Sequence, residues 1–268
     1  MAYLAVWILL VNTRIGQQLD DRALLARSII PKNIVQSIDN FLAFSTPFFA
    51  FLFCVTLLLL GWKTQRIRLG ITMTMSFGVT EIVGETLKYF EVRQNLDPNL
   101  YEALGNKTFN SFPSGTTALA AGFVLGLIAL AANRYRHMTF QWGLLFIQLV
   151  AMFVVLAGWH RPSDALGGIA LAVFFAAIGL WLGYGNGASA ANSIAPESVK
   201  LPWKSALALG IALIALTLIV GSLESLPEGV HVLSLVLFML GIPLFAALMV
   251  TKFTRLAGLG STSTRENA

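Results

Sequence analysis

Charge is scarce in this chain. Only 12% of its 268 residues are Asp, Glu, Lys or Arg, against 56% hydrophobic residues and a mean hydropathy of +0.74. That balance excludes an ordinary soluble domain and describes an integral membrane protein. Cysteine is nearly absent. Cys54 stands alone inside an apolar run, so no intramolecular disulfide exists and the redox compartment cannot be read from thiols. Strict apolar/polar alternation is missing too, which excludes a closed membrane barrel and leaves helices to satisfy the backbone in lipid. The three histidines are His137, His160 and His231, and no clustered metal-ligand set occurs, so neither a metal nor another cofactor is expected. No repeat of fixed period is evident. The net charge of +5 and pI near 9.6 come from basic residues scattered between apolar runs, a pattern explained by membrane topology rather than by a nucleic-acid partner.

The expected fold is all-α, a polytopic membrane helix bundle. Residues 1–12 read as a short first helix without the basic start and small-residue cleavage site of a signal peptide. Residues 13–40 (Arg14, Asp20, Asp21, Arg22, Arg27, Lys32, Asp39) read as an amphipathic segment along the membrane surface, with no catalytic signature. Spans follow at about 42–62, 69–87, 116–132, 140–159 and 165–184. Residues 185–204, rich in Gly, Ser, Ala and Asn, mark a linker, and two further spans at 205–222 and 230–250 form a C-terminal hairpin before a polar tail ending at 268. The chain thus divides into a core (1–184), a cytoplasmic linker (185–204) and the hairpin with its tail (205–268).

Short-loop cations set the orientation. Lys63, Arg66 and Arg68, then Arg134 and Arg136, Lys200 and Lys204, and Lys252 and Arg255 fall on one side if there are eight spans, and that side is expected to be cytoplasmic with both termini. Three polar stations then meet at the outer face: Lys88 to Arg93, Pro113 to Thr116, and His160 to Asp164. The stretch Ser111-Phe112-Pro113-Ser114-Gly115-Thr116 opens onto an apolar run. If a helix starts there, the backbone N–H groups of Ser114, Gly115 and Thr116 make a cradle for an oxyanion at the positive end of the helix dipole. A plain turn and N-cap is the competing reading. Asp164, four residues after His160, is placed to fix the imidazole tautomer, or to serve as N-cap of the following helix behind Pro162. Lys88 and Arg93 offer cations near a span end, or merely snorkel.

In combination, Lys88-x4-Arg93, Ser111-Phe-Pro-Ser-Gly115 and Gly158-Trp-His160-Arg-Pro-Ser-Asp164 resemble the type 2 phosphatidic acid phosphatase superfamily of membrane lipid phosphatases. The likeness covers about residues 40 to 184. It implies a six-helix phosphatase-like core, to which the C-terminal hairpin is an addition, and a plasma (inner) membrane location. It also implies a metal-independent phosphatase or phosphotransferase acting on a membrane lipid phosphate or prenyl pyrophosphate at the outer face. The roles it implies are His160 as the nucleophile that becomes a phosphohistidine and Asp164 as its orienting carboxylate. Lys88 and Arg93, with Ser114 and the amide of Gly115, would hold the phosphate, to which the helix-start cradle adds Thr116.

The chain departs from the family pattern in three places. Thr116 stands where the family has the His that protonates the leaving alcohol, a contribution of about a hundredfold to ten-thousandfold. Val154 stands where the family has a phosphate-clamping Arg, for which Arg161 or Lys107 is the candidate stand-in. Lys88 is followed by Arg93-Gln94 at a shorter spacing than the family's Arg-Pro. Two readings therefore remain open. One is an enzyme whose substrate needs little acid help, such as a lipid pyrophosphate. The other is a catalytically impaired lipid-phosphate-binding subunit of a cell-envelope assembly complex, with the hairpin as the contact for a membrane-protein partner. Glu81 and Glu85, four apart in a span with Lys88 three beyond, leave a transporter as a third class, with Glu85–Lys88 pairing as the bland alternative.

Overall fold

The computed structural model describes residues 2–25, 31–90 and 111–184. Arg93, Lys107, the linker at 185–204 and the hairpin at 205–268 lie outside them. Every element among the described residues is helical. An apolar N-terminal helix starts as α1 (Ala2–Val6) and runs on through a π-helical turn (Trp7–Val11). Thr13 then starts α2 (Arg14–Leu25) by accepting the Gly16 amide on its hydroxyl at 3.0 Å. The long helices are α3 (Lys32–Lys63), α4 (Ile67–Phe90), α6 (Asn133–Leu156) and α7 (Pro162–Tyr184), with the shorter α5 (Gly115–Leu130) among them.

Among the described residues, three helices are long and apolar enough to cross a membrane: Lys32–Lys63, Arg134–Leu156 and Pro162–Tyr184. Large apolar side chains such as Phe44, Phe51, Trp62, Trp142 and Trp181 are exposed on their outer faces, as a lipid-facing surface requires. The described residues are all-helical with several apolar helices, in keeping with the membrane helix bundle expected from composition.

α5 is the axis of the bundle. Thirteen of its 16 residues are buried, so it presents almost no surface to lipid and has no need of full membrane length. At about 1.5 Å per residue it is roughly 24 Å long. α7 packs against both α4 and α5, and α5 also contacts α3, α4 and α6. The close approach of α5 and α7 depends on Gly168, where an added Cβ would lie 2.3 Å from the Ser114 carbonyl oxygen and 3.1 Å from the Ala118 amide nitrogen. Small residues at such crossings let backbones meet where lipid supplies no hydrophobic push.

The segment 13–40 does not lie along the surface as one amphipathic stretch. α2 docks inward, burying Asp20 and Asp21, while residues 32–40 are the first turns of α3. The reason is pairing. Asp20 finds its donor in the first turn of α7 and Asp21 in the residue just before that helix, as described next.

Candidate functional site

α6 ends at Leu156, and the chain reverses through Gly158, whose φ of 73° falls in the left-handed region that glycine adopts without strain. His160 sits in this turn rather than on a helix. Pro162 is the first residue of α7, where its missing N–H costs nothing. Asp164 therefore stands in the first turn, and it reaches back: its Oδ2 accepts the Arg161 amide at 2.8 Å. That is the reciprocal half of a capping box, with Arg161 rather than Asp164 at the cap position. The N-cap reading of Asp164 is corrected accordingly.

The loop before α5 is built onto this turn. Ser111 Oγ donates to Asp164 Oδ2 at 2.5 Å, and the Ser111 carbonyl oxygen lies 3.0 Å from His160 Nδ1. The Ser114 amide donates to the Asp164 carbonyl at 2.9 Å. This polar loop, Ser111 to Ser114, is buried throughout, and it is tolerated at depth because its groups are met by protein. His160 and Asp164 make no direct hydrogen bond, since Nδ1 and Oδ2 are 3.7 Å apart. Ser111 stands between them. A carbonyl only accepts, so Nδ1 carries a proton, and in the neutral ring the lone pair is on Nε2.

Ser114 is the N-cap of α5. Its Oγ accepts the Thr117 amide at 3.3 Å and lies 3.0 Å from Thr117 Oγ1. With the Ser114 amide committed to Asp164, the expected three-amide cradle shrinks to the N–H groups of Gly115 and Thr116 at the positive helix end. The Thr116 side chain lines an apolar cavity of about 190 Å³ between α3, α5 and α6, beside Phe41, Phe49, Phe53 and Phe146.

α4 closes the other side of Gly115. A Cβ added there would meet Glu81 Oε2 at 3.1 Å, Glu85 Oε1 at 3.3 Å and Lys88 Nζ at 4.0 Å. Lys88 Nζ is also 2.6 Å from Glu85 Oε1, the intrahelical pair expected from their spacing. The described parts of the three stations thus converge at one end of the bundle, with Lys88, Gly115 and the Ser111–His160–Asp164 cluster all placed around the start of α5, while Arg93 lies outside the described residues.

Arg161 is fully buried. Its Nη2 lies 3.3 Å from Asp21 Oδ1. Next to it, Asp20 accepts the Ser163 amide at 3.0 Å and the Ser163 hydroxyl, and Asp39 accepts the Trp159 indole N–H. Val154, at the position of the family's clamping Arg, is fully buried, and its carbonyl accepts the amides of Trp159 and His160. Ser111, Asp20, Asp21 and Asp39 carry no local signature of these contacts. The one cue was an unusual run of carboxylates in a segment otherwise suited to a surface.

Comparison with curated proteins and with solved structures gives no match. Residues 68–188 do match a family, described as the PAP2 superfamily, and they span α4 to α7 with the loop and turn just built. This match is consistent with a member of the PAP2 superfamily and suggests a phosphatase acting on phosphate esters, often lipid phosphates.

Proposed function

We propose that the chain is an integral-membrane phosphatase or phosphotransferase that takes phosphate from a lipid phosphate or prenyl pyrophosphate through a phosphohistidine on His160. The observation that carries this reading is the Ser111 carbonyl on His160 Nδ1, which leaves Nε2 as the nucleophilic nitrogen. Nε2 attacks phosphorus, the bond to the leaving oxygen breaks, and water later releases phosphate from the ring. Asp164, 3.7 Å from Nδ1, offsets the positive charge that the ring gains on phosphorylation. The Gly115 and Thr116 amides, the α5 dipole and Lys88 hold the equatorial oxygens, which is most of what phosphoryl transfer asks of a protein. Arg161, turned to Asp21, anchors the turn rather than the phosphate.

A lipid substrate fits the setting. The apolar cavity lined by Thr116 and five phenylalanines adjoins the helix end at which the phosphate would sit, so a tail and a headgroup have contiguous places. The test is phosphate release from phosphatidic acid and from a prenyl pyrophosphate by the purified protein and by His160→Ala. His160-dependent release is expected. Lipid-phosphate binding without any turnover would refute the enzyme and leave the binding subunit.

A further inference from the structure

Glu81 has no part in the chemistry above, yet it faces the same helix end. We infer that its carboxyl is the general acid of this site, in place of the histidine that Thr116 replaces; this rests on the phosphatase reading. The geometry has three parts. Glu81 Oε2 is 3.1 Å from the Cβ position of Gly115, the residue whose amide opens α5. Glu81 Oε1 is buried and accepts no hydrogen bond from the described residues. Glu85, one turn on, is already matched by Lys88 at 2.6 Å.

Charge balance then assigns the proton. Among the described residues, one ammonium and two carboxylates stand at this helix end, and with an incoming phosphate their negative charges exceed what Lys88 and the α5 dipole offset. Phosphate therefore enters together with a proton, and Glu81 takes it, because among the described residues the ion pair of Lys88 is made with Glu85 rather than with Glu81. A protonated carboxyl beside a bound phosphate is a donor. As the His160 Nε2–P bond forms and the P–O bond breaks, the proton passes from Glu81 to the leaving oxygen, leaving Glu81 ionised. In the second half the water that attacks the phosphohistidine gives its proton to Glu81, the N–P bond breaks, and the starting state returns. The substrate class widens accordingly. Phosphate monoesters of alcohols, whose alkoxides leave poorly, become substrates alongside pyrophosphates.

The experiment compares two ester types in one assay: a phosphatidic acid, with an alkoxide leaving group, and p-nitrophenyl phosphate, whose leaving group needs no proton. Wild type, His160→Ala, Glu81→Gln and Glu81→Asp are measured in the same detergent, with thermal unfolding as a folding control. For Glu81→Gln the expected result is a loss of about a hundredfold or more in kcat on phosphatidic acid. The loss on p-nitrophenyl phosphate is expected to stay below about tenfold, and Glu81→Asp regains part of the phosphatidic acid activity. Equal losses on both esters, or no loss on either, overturn the acid role while His160-dependent turnover by the wild type keeps the phosphatase. Absence of His160-dependent turnover on both esters overturns the phosphatase reading and the acid role with it.

Discussion

Removing one hydroxyl, in Ser111→Ala, is expected to weaken both the fold and the turnover. Ser111 Oγ gives a buried hydrogen bond to the Asp164 carboxylate, both partners being almost without solvent contact. A hydrogen bond to a charged group contributes about 1.5–3 kcal/mol, and here no solvent replaces it. A loss of about 2 kcal/mol lowers the unfolding temperature by roughly 4–8 °C for a chain of this size. The same serine's carbonyl oxygen holds His160 Nδ1 at 3.0 Å. The carbonyl stays in the variant, but the loop that aims it loses its tie to α7. A misplacement on the order of 1 Å costs about a hundredfold in rate, so kcat should fall by about that factor with KM little changed. Intrinsic tryptophan fluorescence on heating gives the first quantity and phosphate release the second. A variant that unfolds at the wild-type temperature and turns over at the wild-type rate would refute the placement of Ser111 between Asp164 and His160.

Two further outcomes follow from packing and charge. Gly168→Ala puts a methyl group 2.3 Å from a backbone oxygen that has no rotamer to escape into, so α5 and α7 must separate. The expected cost is about 1–3 kcal/mol or more, whereas Gly78→Ala, with open space at its Cβ, should gain up to about 1 kcal/mol from helix propensity; equal unfolding temperatures would sink the close-approach argument. Asp21→Asn removes the counter-charge of a fully buried guanidinium. It should cost about 3–5 kcal/mol, while the double variant Asp21→Asn/Arg161→Met recovers most of it. A double variant no more stable than Asp21→Asn alone would contradict that ion pair.

Much of the site was legible before any coordinates. His160-x3-Asp164 and the Ser111 to Thr116 stretch are short-range patterns, and their chemistry follows from residue type and helix-start geometry alone. Span order and loop charge also brought Lys88, Gly115 and His160 to one end, because antiparallel helices alternate their ends. The misreadings have a common cause. Ser114 was expected to offer its amide to a phosphate, but α7 supplies the Asp164 carbonyl first. Asp164 was weighed as an N-cap, but Pro162 takes the first helical position and moves it inward by one turn. In one case a neighbouring helix and in the other a one-turn shift of the helix start decided the outcome.

The sequence by itself determined the helical, membrane-suited character of the chain and which residue types meet at the proposed phosphate site, since hydropathy and motif spacing are local properties. The tertiary structure decided the connections. Ser111 meets Asp164 across 53 residues, Trp159 meets Asp39 across 120, and Ser163 meets Asp20 across 143. It also turned Glu81 toward Gly115. No periodicity records such pairings, because they depend on which faces two helices bury against each other, and that is set by the packing of the whole bundle.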